Sequence, residues 1–242
     1  MSKVSIIIPF YNCPYVDQAI KSALNQTYQD IEVIVINDGA TKHSEKITPF
    51  LSRIRYLEKE NGGTGSALNI GIQHATGDYI VWLSSDDIFE SEKTEKQLNF
   101  MENFNAAICH SAYVQIDADN NIISKPMGVH YQYRLPFLLH MKQGCFINGC
   151  TVMLKREVLK HIGLFNESLL YTQDYDLWLR ILKHYNFYYI DEPLIQYRIH
   201  EQMGTKKNIQ KISQEIKLVK HNYRGQLDMM IQSLRSKSNT SI

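Results

Sequence analysis

Two adjacent carboxylates close a hydrophobic run, YIVWLSSDD over residues 79–87. Paired acids repel each other unless a cation or hydrogen-bond donors compensate. A hard divalent cation shared with phosphate oxygens supplies that compensation. Asp86 and Asp87 are therefore candidates for work on a diphosphate, and a plain polar turn is the competing reading. A second hydrophobic run, IEVIVIN, leads into Asp38 and Gly39. A carboxylate there can accept hydrogen bonds from a base or sugar edge, or simply close an Asx-type turn. NGGTG, residues 61–65, offers backbone amides that can approach an anion. In TQDYDLWLR, Asp174 and Asp176 sit near a helix start, where an acid caps the helix or serves as a general base. His200, just past the strand-like run ending in YRIH, is a candidate late metal ligand.

Elements of two periodicities must carry these residues. Val4–Ile8 is a short branched run stopped by Pro9 and reads as a buried strand. Val16, Ala19, Ile20, Ala23 and Leu24 share one helical face. Ile31–Asn37 has the near-continuous apolar character of a parallel strand covered on both sides. Strand at 54–57, helix at about 66–74 and strand at 79–83 repeat the pattern, which predicts an α/β domain with a mostly parallel sheet. Ligands of such sheets gather at the carboxyl ends of strands, where Asp38, Asp86 and Asp87 fall. Beyond Asp87 the sequence predicts a polar helix at 91–104, a strand at 106–116 and a mixed region through Arg198.

Composition narrows the class. Of 242 residues, 44% are hydrophobic and 21% charged, a globular balance. A formal net charge of +1 argues against a nucleic-acid partner. The four cysteines form no CxxC pair, and neither GxGxxG after the first strand nor a phosphate-loop lysine is present. No leader-like or membrane-spanning run stands out, so a cytoplasmic protein is expected. The tail differs: residues 201–242 hold eight Lys/Arg against three Asp/Glu. Ile209, Ile212, Ile216, Val219, Tyr223, Leu227, Met230 and Leu234 form one helical stripe there. Packing on its own domain or on a second copy is the leading expectation, and peripheral contact with an anionic membrane face the alternative. The final SKSNTSI is expected to fray.

In order along the chain, VSIIIPFYN, IEVIVINDG, NGGTGSALNIGIQHATGDYIVWLSSDD, GLFNESL and QDYDLWLR resemble the family 2 glycosyltransferases over about residues 3–200. The resemblance implies the GT-A fold: a Rossmann-like, mostly parallel sheet flanked by helices, with a smaller mixed acceptor-side region. It divides the chain into a catalytic domain at 1–204, with a nucleotide-sugar half to about 116 and an acceptor half to 204, followed by the basic helix and tail at 205–242. The implied activity is inverting transfer of a sugar from a nucleotide-sugar donor to a hydroxyl of a glycan or lipid-linked acceptor, as in surface polysaccharide synthesis.

The same resemblance implies residue roles. Pro9, Tyr11, Asn12, Asp38, Gly65, Asp86 and Gly149 would contact the nucleotide sugar, with Asp38 on a uracil or thymine imide and hence UDP-sugars favoured. Asp87 would be the direct ligand of Mn2+ or Mg2+, His200 a further metal or diphosphate contact, and Asp174 the catalytic base. The loop at 39–45 and the stretch at 144–149 would border the pocket. Ser84 and Gln173 stand where the family often carries acids. A carbohydrate-binding relative without turnover, and a Mg-dependent nucleotidyltransferase or phosphate hydrolase, are the other classes these acids allow.

Overall fold

The computed structural model describes residues 2–239, with the side chains of residues 205 and 237–239 left out. The first half alternates β1 (Val4–Phe10), α1 (Val16–Leu24), β2 (Ile31–Asp38), β3 (Arg55–Lys59), α2 (Thr64–His74) and β4 (Tyr79–Trp82). Then follow β5 (Ile88–Phe89), α3 (Lys93–Asn103), β6 (Ile108–Ile116), α4 (Arg134–Gln143), β7 (Met153–Lys155), α5 (Arg156–Ile162) and α6 (Gln173–Leu182). The chain continues through β8 (Tyr188–Arg198), α7 (Gly204–Lys207) and α8 (Ile209–Asn239).

All eight strands join one sheet in the order β3-β2-β1-β4-β7-β6-β8-β5. β1 pairs in parallel with β2 and β4, β2 with β3, and β6 with β8. The short β7 runs antiparallel between β4 and β6, so β4 and β6 point the same way. The α/β expectation holds, and the antiparallel β5 and β7 belong to its mixed second half.

The pleat explains why the strands read as continuous hydrophobic runs. Ile7 faces a core built with α2, α4, α5, α6 and α8, while Ile6 and Ile8 face a second core under α1 and α3. With both faces covered, β1 is apolar on both sides except at Ser5, whose hydroxyl donates to Glu32 Oε1 at 2.6 Å. The strands β1, β2 and β4 thus end together, and the segments that leave them form one rim.

The tail stripe packs on its own domain. Val219, Leu227 and Ile231 are buried in the first core, beside half-buried Tyr223, Met230 and Leu234. Each fully buried apolar side chain of this kind contributes about 1.5–3 kcal/mol. Ile209, by contrast, is 66% exposed and lies outside the seam. Of the segment expected to fray, residues 236–239 continue α8, and 240–242 lie outside the described residues. Among the described residues no helix is long and apolar enough to cross a membrane.

Candidate active site

The turn after β4 is held at every residue. Asp87 N–H donates to Ser84 O at 3.1 Å. Ser84 N–H donates to Cys150 Sγ at 3.3 Å, and Cys13 Sγ donates to Ser85 O at 3.2 Å. The remaining two residues are fastened by Arg198, whose Nε donates to Asp86 O at 2.8 Å and whose N–H donates to Asp87 Oδ1 at 2.9 Å. Arg198 is itself fully buried. Its guanidinium also donates to Asp117 O and Gln18 Oε1, and lies 4.2 Å from the Tyr15 ring centroid. A buried cation needs such saturation, because an unpaired charge here would be very costly.

This clamp separates the two acids. Asp87 has no exposed surface, and burial, with Asp86 beside it, pushes its carboxyl well above the ordinary range. Its Oδ1 grips the strand that carries Arg198, while Oδ2 is buried with no hydrogen-bond partner among the described residues, an orphaned oxygen that a cation would satisfy. Asp86 is the acid at the surface. Its Oδ2 accepts from His200 Nε2 at 3.1 Å, with the two side chains 25% and 11% exposed. The edge of the Tyr15 ring fixes the imidazole plane, the ring centroids being 5.3 Å apart.

Asp38 holds a different structure together. Oδ1 accepts from Lys59 Nζ at 2.7 Å and Gly62 N–H at 2.9 Å. Oδ2 accepts from Gly63 N–H at 2.8 Å and Asn61 Nδ2 at 3.2 Å. A carboxylate has about four acceptor sites, and these four donors fill them. Asp38, buried, anchors the 61–63 loop. Gly39 tightens the same junction. It has φ +72°, and a Cβ there would come within 2.8 Å of Asn61 N.

Five further expected contacts have a place in the structure. Asn12, at φ 51°, uses Oδ1 to accept the N–H groups of Thr41 and Lys42, both at 2.8 Å, so it pins the loop after β2 to the exit of β1. Pro9 is half-buried within β1, and Tyr11 beside it is 55% exposed. Gly65 is buried in the first turn of α2, and a Cβ on it would face Gln173 Cγ at 3.4 Å. Its free side is turned to α6 instead of to a ligand. At Gly149 a Cβ would lie 2.1 Å from the Trp82 ring, so the missing side chain makes room for that indole.

Asp174 lies in the first turn of α6. Leu170, in the loop before that helix, would touch a Cβ on Gly63 at 3.2 Å, which brings the start of α6 to the rim formed by the 61–63 loop. Asp174 Oδ1 accepts Tyr175 N–H at 2.7 Å, and Oδ2 has no hydrogen-bond partner among the described residues. Burial pushes the carboxyl up to about 6, against which backbone hydrogen bonds work only partly. A carboxylate tuned to that range accepts a proton at neutral pH more readily than an ordinary one.

The model of the family described as "Glycosyl transferase family 2" matches residues 5–163. The chain belongs to that family. It is 40% identical over 217 residues to an uncharacterized glycosyltransferase of Rickettsia typhi, covering 87% of this chain and 68% of that protein. It is 42% identical over 213 residues to one of Rickettsia felis, covering 84% of this chain but only 35% of the relative. Among solved structures, S. aureus TarS 1-349 in complex with UDP-GlcNAc aligns with TM-score 0.69 at 18% identity, over 83% of this chain and 60% of that one. The mannosyltransferase PcManGT from Pyrobaculum calidifontis, in complex with GDP-Man and Mn2+, aligns with TM-score 0.66 at 16% identity, over 87% and 61%. The fold is the GT-A fold of these neighbours, and the chain spans about three fifths of either solved chain.

Two contributors to this glycosyltransferase's site escaped the motif reading. Arg198 was visible only as part of YRIH, since its partners lie 80–180 residues earlier. Glu215, on the tail helix, accepts the N–H groups of Leu170, Tyr171 and Thr172 at 3.0, 2.9 and 3.0 Å. A charge pattern can flag a basic tail but gives no sign of a single acid that caps a distant loop.

Enzymes of the GT-A fold commonly use divalent cations, as the Mn2+ in PcManGT illustrates. Asp86 and His200 offer an oxygen and a nitrogen at one partly open point, and the same turn holds the orphaned Oδ2 of Asp87. No cluster of three or more His, Cys, Asp or Glu gathers among the described residues. A small protein donor set of this kind suits Mn2+ or Mg2+ that takes its remaining ligands from water and substrate phosphates.

Proposed function

We propose that the chain transfers a sugar from a nucleoside diphosphate to a hydroxyl of a glycan or lipid-linked acceptor, with inversion at the anomeric carbon. Asp174 takes the proton of the acceptor hydroxyl as that oxygen attacks the anomeric carbon, and the bond to the diphosphate oxygen breaks. An α-linked donor then gives a β-glycoside. Asp87 and His200 would hold Mn2+ or Mg2+, with Asp86 nearer the ribose or donor sugar, and the ion when bound supplies charge neutralisation on the departing diphosphate. Arg198 and Asp87 keep the Asp86 turn in place, and Asn12 and Asp38 shape the loops that border the nucleotide, near Pro9 and Tyr11.

The observation that supports this reading is a carboxylate–imidazole pair at the turn after β4 together with a separate carboxyl, raised to about 6, at the start of α6. The second acid suits the role of base toward an acceptor hydroxyl. The donor base is open, since TarS is solved with UDP-GlcNAc and PcManGT with GDP-Man. UDP-sugars come first in the test because they head the sequence expectation.

Release of nucleoside diphosphate is to be followed across UDP-, dTDP- and GDP-sugars, with Mn2+ or Mg2+ and pooled acceptors. Metal-dependent release from one donor class is expected. Neither binding nor turnover of any donor would leave a saccharide-binding relative as the better account.

A further inference from the structure

A cavity of about 550 Å3 opens away from the acids just described, between the start of β8, the end of α6 and the segment 129–134. None of Asp86, Asp174 or His200 lines it. Along α6, Asp174 and Leu182 are eight residues apart, about 12 Å of helix rise, and Leu182 borders the cavity. The volume is within the range of small-molecule sites, roughly 300–1,000 Å3.

The lining has an unusual pairing of rings and an idle polar group. His110, on β6, is only 4% exposed and reaches this space. Neither of its ring nitrogens has a hydrogen-bond partner among the described residues; its close neighbours are the rings of Tyr189 at 5.0 Å and Phe146 at 6.4 Å. The ring lies at the cavity wall, so a molecule in the cavity can hydrogen-bond it in place of water. Burial, with His130 next to it, pushes His110 down to about 3, so the ring is neutral and offers one donor and one acceptor.

The remaining walls choose the ligand's class. His130 stacks on Tyr189 at 5.8 Å, and Tyr133 stands 66% exposed at the mouth. Arg134 also borders the space, but its guanidinium is turned to Asn186 Oδ1 and to Leu182 O, the latter at 2.7 Å. A phosphate or carboxylate would therefore meet a neutral imidazole and a guanidinium already engaged. A saccharide fits better. Its C–H face packs on aromatic rings, and each hydroxyl both donates and accepts, as neutral imidazole does.

We propose that this cavity is a saccharide-binding subsite, distinct from the catalytic centre, in which His110 and Tyr189 hold a pyranose ring of the acceptor at a distance from its reacting hydroxyl. Assignment of that ring to the acceptor rests on the transferase reading; binding of a saccharide does not. Residues of the acceptor beyond the reacting end would add affinity here without changing the chemistry at Asp174.

The test titrates the full chain, without donor or metal, with maltotetraose, cellotetraose and chitotetraose, reading imidazole resonances of histidine-labelled protein. At least one oligosaccharide is expected to shift His110 saturably. His110→Phe and Tyr189→Leu, both checked for a native melting transition, should each weaken that binding at least tenfold, and Asp174→Asn should leave it unchanged. No saturable shift with any of the three, or binding that survives both cavity variants, overturns the proposal. Binding lost in Asp174→Asn overturns it too, by putting the saccharide at the catalytic centre. Saccharide binding by a chain that turns over no donor would instead refute the transferase reading and leave the subsite standing.

Discussion

Glu215 receives two hydrogen bonds from Thr172, one from its N–H and one from its hydroxyl, both at 3.0 Å. Thr172 is the residue before α6, and its side chain does not cap that helix. The cap comes instead from a carboxylate on α8, favourably placed at the positive end of α6. With Leu170 and Tyr171 bound to the same carboxylate, the C-terminal helix fixes the loop that delivers Asp174.

Removing this clamp should therefore act on the base without touching substrate. Glu215→Ala is expected to lower kcat about 10- to 100-fold, the cost of a small misplacement in a positioned group, with donor KM changed far less. Glu215→Gln keeps one acceptor oxygen and should recover part of the loss. Equal activity in both variants and wild type, by steady-state kinetics, would remove α8 from the account.

The pH profile should report Asp174 directly. The base works deprotonated, so kcat/KM is expected to rise with pH through an apparent value of about 6, where burial places the carboxyl. In Asp174→Asn that limb should vanish together with most of the activity. A rising limb that persists in residual Asp174→Asn turnover belongs to another group.

Stability should move in the opposite sense. The folded carboxyl is raised from 3.8 to about 6, so the protonated form is favoured by folding. This contribution is present below about pH 3.8 and is lost as pH rises through about 6. At pH 7.5 an amide avoids the penalty of a buried charge, and Asp174→Asn should be more stable, on the order of 2 kcal/mol, by urea denaturation. A less stable variant would show that Asp174 carries structural bonds beyond the one to Tyr175.

The two acids of the turn should separate in a metal titration. Asp87→Asn and His200→Ala are expected to raise the half-saturating Mn2+ concentration about tenfold or more, as loss of a ligand does. Asp86→Asn leaves Asp87 in place and should change the Mn2+ requirement much less. The reverse order of effects would make Asp86 the ligand.

Gly149 gives a purely steric case. A methyl group at 2.1 Å from the Trp82 ring forces indole or backbone to move. Gly149→Ala is expected to cost about 1–3 kcal/mol, the usual penalty for overpacking, as a lower melting temperature. An unchanged melting temperature would mean that the indole has room to shift.

How far these features could be read in advance depended on their range along the chain. Branched runs at Val4–Ile8 and Ile31–Asn37 announced buried parallel strands, because continuous hydrophobicity is a local property of a strand covered on both faces. The stripe through Val219, Leu227 and Ile231 was equally legible as one helix face. What Asp38 does was not, since its donors come from Lys59 and the 61–63 loop, 21–25 residues away. Adjacency in the sequence gives no sign of how differently Asp86 and Asp87 are exposed. Only Arg198, more than 110 residues later, decides which one is buried. His110 shows no signal at all in the sequence, for its isolation is a property of the cavity around it.

The most direct test of the account measures nucleoside diphosphate release and glycosylated product together for wild type, Asp87→Asn and Asp174→Asn with the preferred donor and Mn2+. The account predicts coupled, metal-dependent release in the wild type and at least a hundredfold loss of product in each variant, with donor still bound by Asp174→Asn. Undiminished product formation by Asp174→Asn would contradict it.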